Sequence, residues 1–160
     1  LMSIARQRIR RTAARVLPVS PLGEVLLMQA RDPARPDDWH WVSIGGAVEP
    51  GESVEEGALR ELREETGIVV SPFALSPPVH VGSQDFSWAG ADYTNHSTFF
   101  AIALDRDAEI VLDGLEGLEI GNVTGAAWWF PDDLADDGSA ASPDLPEIMR
   151  RAVETVKGAA

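Results

Sequence analysis

The chain has 160 residues, of which 44% are apolar and 24% charged, the make-up of a globular domain rather than of a fibre, a repeat array or a disordered segment. It contains no cysteine, which excludes disulfides and thiolate metal sites. A net charge of −13 argues against holding a long nucleic acid on a basic face.

Leu1 ahead of Met2 reads as a leftover of expression, and residues 1–11 as a basic N-terminal arm. Arg6, Arg8, Arg10 and Arg11 of that arm, with Arg15 beyond it, form either a solvated basic lead-in or the source of a phosphate contact. Arg15 is the candidate for such a contact. No secretory layout opens the sequence, and no apolar run approaches the roughly 18 residues that cross a bilayer. The expectation is a cytoplasmic location with no membrane partner.

Thr12–Val19 and Glu24–Arg31 are aliphatic stretches around Pro21-Leu22-Gly23 and read as two strands joined by a turn. Asp32–Asp38 is a Pro- and Asp-rich loop, after which Trp39, Trp41 and Val42 lead to Gly45-Gly46. Ser53–Thr66 is the strongest helix. Pro50-Gly51 makes the turn before it, Ser53 and Glu56 form a capping box, and Gly67 supplies the C-terminal stop. Val54, Ala58 and Leu62 share a stripe at helical spacing with Leu59 beside it, which is the core side. Strands follow at Ile68–Val70, Val79–Phe86, Ser97–Leu104 and Ala126–Phe130, then a closing amphipathic helix at Leu145–Val156. One domain over 1–160, with a core at about 12–157, follows. Its class is α/β (α+β), a mixed sheet between helices.

The chemistry lies on the central helix. Glu61 is three residues from Glu64 and four from Glu65, so the three carboxylates share one face, their Cβ atoms about 5–6 Å apart. Each like-charged pair at that spacing repels by roughly 3 kcal/mol at an effective dielectric of 20. Carboxylates are hard oxygen ligands, and Mg²⁺ or Mn²⁺ would turn this repulsion into attraction. A solvated acidic face is the plain alternative.

The wider spacing decides between them. Gly46, five residues, Glu52, seven residues, Arg60-Glu61-Leu62, one residue, Glu64-Glu65, one residue, then Gly67-Ile68 resembles the signature of the Nudix hydrolases at each specified position. A chance match is on the order of one in ten million at average residue usage. Asp38–Gly46, Trp128-Trp129, Asp133-Leu134 and Leu145-Pro146 also resemble a bacterial subgroup of that family. The likeness runs from Thr12 to about Arg150.

The resemblance implies a Nudix-type α/β/α sandwich and Mg²⁺-dependent (or Mn²⁺-dependent) cleavage of a phosphoanhydride in a nucleoside diphosphate linked to another group: a nucleotide, a nucleotide sugar or an oxidised nucleoside triphosphate. It implies a small-molecule partner and, as for many relatives, a homodimer. Glu64 and Glu65 would be the main metal ligands, Glu61 a further ligand or the base, and the Gly45 carbonyl would complete the shell. Arg60 would pair with Glu52 to hold the loop. Glu119, or Glu116 nearby, would be the extra acid that many relatives carry before the last strand. His96, Asp92 and Tyr93 stand where they could meet substrate, and one of Trp128 and Trp129 could stack on a base while the other joins the core. Ile44 departs from the proline usual before the glycines, which would loosen the loop. Gly57 departs from alanine, at about 1 kcal/mol of helix stability. The rival reading is a catalytically silent Nudix-fold nucleotide sensor, which would bind a nucleotide with Mg²⁺ and turn over nothing.

Overall fold

The computed structural model describes residues 8–112, 114–115 and 121–159. Its elements are β1 (Arg8–Val19), β2 (Val25–Arg31), β3 (Trp39–Val42), β4 (Ile44–Ala47), α1 (Val54–Thr66), a 3₁₀ turn at Pro72–Ala74, β5 (His80–Trp88), β6 (Ala91–Ala103), β7 (Val123–Trp129), α2 (Pro131–Asp137) and α3 (Leu145–Gly158).

From Ala13 onward β1 is apolar on both faces apart from Arg15, and this makes it central. Ala14 and Val16 join one core cluster with Ala58 and Leu62 of α1, while Leu17 and Val19 join another with Leu134 of α2 and Leu145, Ile148 and Met149 of α3. The sheet therefore lies between α1 on one face and α2 and α3 on the other, the expected sandwich. It is mixed: β1 runs parallel to β6 from Arg8↔Asp92 to Val19↔Ala103, and β5 closes antiparallel on β6. No helix among the described residues is long and apolar enough to cross a membrane.

One feature of the pairing shapes everything near the glycines. β1 and β2 touch in register only at Val19↔Val25 and then diverge. Trp39–Ala47 fills the gap by changing partner at Ser43: β3 pairs with β2, and β4 pairs with β1 through Val16↔Ile44 and Arg15↔Gly45. β7 takes the outer edge of β2.

Several expectations need correction. Strand structure begins at Arg8, so Arg8, Arg10 and Arg11 belong to the sheet and not to an arm. Arg8 and Arg11 find partners there, Arg8 donating to the Tyr93 carbonyl at 3.0 Å and Arg11 to Asn95 Oδ1 at 3.1 Å. Ile68–Val70 forms no strand: Ile68 is buried, but Val69 is 77% exposed and the segment has no ladder. β3, β4 and α2 were not anticipated. Ile44 is fully buried and paired with Val16, so it pins the loop and does not loosen it. Trp128 and Trp129 point to opposite faces as alternation requires, but each packs against its own core cluster.

The helix behaves as its sequence dictates. Ser53 accepts from the Glu56 amide, Glu56 reciprocates, and Gly67 caps the end at φ 77°. Ala58 and Leu62 are fully buried, and Leu59 is half-buried. Leu62→Ala should therefore lower stability by about 2–5 kcal/mol, and Leu59→Ala by clearly less. Urea melts of the two variants check the order.

Candidate active site

The sheet and the helix meet at Gly45-Gly46. Gly45 has φ 143°, and a Cβ there would collide with the Ala14 carbonyl and lie 2.8 Å from Arg15 Cα. Glycine is thus required by both conformation and space. At Gly46 an added Cβ would come within 2.8 Å of Glu61 Oε1, so the Glu61 carboxylate rests directly on this residue. Glu65 reaches the same segment, its Oε2 accepting the Gly45 N–H at 2.7 Å, and it is only 7% exposed.

Arg60 is the hub that ties the loop to the helix. Its Nε and Nη2 donate to the two oxygens of Glu52 at 2.8 and 3.0 Å, and Nη2 also donates to the Ala47 carbonyl at 2.9 Å. Nη1 lies 3.1 Å from both Glu61 Oε1 and Glu64 Oε2, and 3.7 Å from Glu49 Oε1. The fork-to-fork pairing with Glu52, each side chain 15% exposed, is the strong form of an arginine–carboxylate contact. The Glu52 hydrogen bond raises the Arg60 pKa further above its already high value, against the opposing pull of burial. In return, Arg60 and then the Glu49 amide hold the Glu52 carboxyl below the usual range. Gly57 now has a reason: a Cβ there would sit 3.1 Å from Glu52 Oε1 and 3.2 Å from a Val48 methyl. Its lack of a side chain lets the loop close on the helix.

Arg15 arrives from the other face of β1. Its Nη1 donates to the carbonyls of Ser43 and Gly45 at 3.1 and 3.2 Å. Burial lowers its pKa, while Glu65 and then Glu61 pull the other way and Arg11 adds to the lowering. Glu61, Glu65, Gly45 and Arg15 are thus brought together, with Arg60 and Glu52 as their support, while Glu64 is held on Arg60.

Other candidates fall elsewhere. His96 is exposed and bonded to Ser83 Oγ through Nδ1 at 3.2 Å. It pairs in register with Thr12, which alternation puts on the α1 face of β1 with Ala14 and Val16, and its hydrogen bond goes to β5 and not to a carboxylate. Glu116 and Glu119 lie outside the described residues; Gly114, nearby in sequence, presses on the Glu64 backbone, where a Cβ would be 3.2 Å from Glu64 Cα. Tyr93 does lie on the Arg15 face, beside Arg11.

The donor chemistry fits a hard divalent cation, since the carboxylates of Glu61 and Glu65 meet the Gly45-Gly46 backbone and Glu64 lies on the same helix one turn from Glu61. As the side chains stand, no three His, Asp or Glu among the described residues gather tightly enough to chelate an ion. Glu64 leans on Arg60 and Glu65 on the Gly45 amide. Glu64 is 35% exposed, so it can turn away from Arg60 without repacking the core.

A family model described as NUDIX domain covers residues 9–152. A Nudix hydrolase of Deinococcus radiodurans is 30% identical over 113 residues, covering 69% of this chain and 58% of that protein. The nucleoside triphosphatase NudI of Escherichia coli is 29% identical over 93 residues, covering 55% of this chain and 66% of the relative. The chain thus spans between about half and two thirds of the length of these relatives. Among solved structures, a MutT protein from Methanosarcina mazei superposes with a TM-score of 0.66 at 19% identity, covering 92% of this chain and 96% of that one, a likeness of fold.

Glu52→Gln should lower stability at neutral pH by about 1.5–3 kcal/mol, the range for hydrogen bonds to charged groups. Because the folded-state pKa of Glu52 is depressed, its contribution is complete above the ordinary carboxylate range and fades as pH falls through the lowered value. Melting curves from neutral to acid pH should therefore converge for parent and variant. A constant gap between them down to the lowest pH would contradict the pairing.

Proposed function

Since the chain belongs to the Nudix family, we propose that it hydrolyses a phosphoanhydride bond of a nucleoside diphosphate joined to a further group, with Mg²⁺ or Mn²⁺ as cofactor. The observation that carries this reading is the convergence of Glu61 and Glu65 from the helix, and of Arg15 from the far face of β1, on Gly45-Gly46. An acidic face that was merely solvated would not be closed down on a glycine pair and backed by an arginine.

A bound cation, held by Glu61, Glu64 and Glu65 with the Gly45 carbonyl, would supply Lewis-acid polarisation of phosphoryl oxygens and a water of lowered pKa. The chain's own residues do the rest. Arg15 donates to the carbonyl oxygens of Ser43 and Gly45, which sets its guanidinium beside the glycines where phosphate oxygens would approach. Arg60 keeps the loop and helix at fixed spacing and takes no part in bond breaking. Glu61, resting on Gly46, is the candidate base for the attacking water. Relatives that include a protein named as a nucleoside triphosphatase support a nucleotide as the small-molecule partner.

The reading is tested by incubating the protein with Mg²⁺ and a panel of nucleoside diphosphate derivatives and identifying the products. Release of a nucleoside phosphate that stops in chelator is expected. Binding without turnover across the panel would favour the silent sensor instead.

Replacing Glu64 and Glu65 together by glutamine should abolish the response to metal. The parent should gain about 2.7 kcal/mol of stability from Mn²⁺ or Mg²⁺ at a hundredfold excess over its dissociation constant, and the double variant nothing. Turnover should drop by about 10²–10³-fold or more, the scale lost with one preorganised electrostatic stabiliser. Thermal melts with and without metal, beside the activity assay, read both effects.

A further inference from the structure

Arg11 lies on the same face of β1 as Arg15, four residues or about 13 Å of extended chain away. Its register partner on β6 is Asn95, whose own partner on β5 is Gln84. Arg11 Nε donates to Asn95 Oδ1 at 3.1 Å. Its guanidinium carbon lies 4.6 Å from the Tyr93 ring centroid and 5.9 Å from that of Phe86, and the two rings stack at 5.1 Å with 10° between planes. Asn95 is 1% exposed, and because arginine carries no acceptor its amide oxygen must be the atom that faces Arg11.

The guanidinium is therefore set in place by one hydrogen bond and by the aromatic pair beside it. Its terminal nitrogens, by contrast, have no hydrogen-bond partner among the described residues. They are also accessible: among those residues, Trp129 Nε1 is the buried side-chain nitrogen left without a partner. A fixed fork of donors, half-buried and opening beyond Arg15 along the same face, is built to meet paired acceptors on a ligand.

The distance along the strand says which part of the ligand that is. If the phosphates lie at Arg15 and the carboxylates, as the hydrolase reading on which this inference rests requires, then a diphosphate is too short to extend to Arg11. The nucleoside does extend that far. A 6-oxopurine offers O6 and N7 as adjacent acceptors, whereas adenine offers N7 beside an amino donor. A guanidinium has donors alone, so it matches the first and clashes with the second.

We propose that Arg11 is a specificity-determining residue that reads the keto edge of a purine, with Asn95 as its positioning residue, so that this chain prefers 6-oxopurine nucleotides to 6-aminopurine nucleotides. Inosine 5′-diphosphate and adenosine 5′-diphosphate differ at that edge and carry the same phosphates, which makes them the probes.

Titration calorimetry of the parent with Mg²⁺ present should give a dissociation constant about tenfold or more lower for inosine diphosphate than for adenosine diphosphate. In Arg11→Gln the two should come within about twofold of each other, chiefly through weaker inosine binding. Arg11→Lys keeps the charge but not the fork and should lose the preference too. Equal affinities in the parent, or no binding of either probe, overturn the proposal. So does a fall of equal size for both probes in Arg11→Gln, which would place Arg11 on phosphate. If the glutamine variant does not fold, the lysine variant decides the same question. Binding is read without turnover. A chain that prefers the inosine probe yet hydrolyses nothing refutes the hydrolase reading alone, and turnover without base preference in binding refutes this inference alone.

Discussion

One guanidinium organises the site. Arg60 grips both oxygens of Glu52, a backbone carbonyl of β4 and carboxylates on its own helix. Without it, Glu49, Glu52, Glu61 and Glu64 would repel one another across a short loop, and the chain already carries a net charge of −13. Placing a single cation at the centre of these carboxylates turns the repulsion into cohesion between the loop and α1. Arginine suits this position better than lysine because its planar fork bonds Glu52 with two parallel contacts and still has N–H groups for the others.

The fold supplies the rest of the arrangement through the divergence of β1 and β2. Because Trp39–Ala47 crosses from one strand to the other at Ser43, the glycine pair is presented between the helix face on one side and the opposite face of β1 on the other. Gly45 and Gly46 allow the close approach, with Glu61 against one and Arg15 against the other. Fully buried Ile44 anchors the crossing. Charge of both signs can then be held against one short piece of backbone, which is what a polyanion bound through a cation requires.

Much of this was legible in the sequence, and the parts that were not share a physical cause. The helix was readable from Ser53 to Gly67 because local signals agree there: a capping box, a 3.6-residue stripe and a left-handed glycine stop. The shared face of the three carboxylates followed from spacing on that helix, whereas the pairing of Arg60 with Glu52 was what the family resemblance implied. Arg8–Arg11 misled because a strand whose side chains are charged shows no apolar alternation; its partners on β6 are some 84 residues away. Ile68–Val70 misled the other way, its β-branched residues suggesting a strand that no neighbour pairs. α2 buries only Leu134, too little to leave a periodic trace. Nor could the sequence show that Arg11, Asn95 and Tyr93 meet, since this depends on the parallel register of β1 with β6.

The central claim is that the Arg60–Glu52 contact couples the loop to the helix as a pair and not through two independent residues. A double-mutant cycle with Arg60→Gln, Glu52→Gln and the combined variant, measured by chemical denaturation, tests it most directly. Neighbours that act through one network show coupling energies of about 0.5–3 kcal/mol, and this contact should reach about 1.5 kcal/mol or more, the two single changes being together less than additive. A coupling energy near zero would contradict the account, leaving Arg60 and Glu52 as separate surface charges and the site without its organising pair.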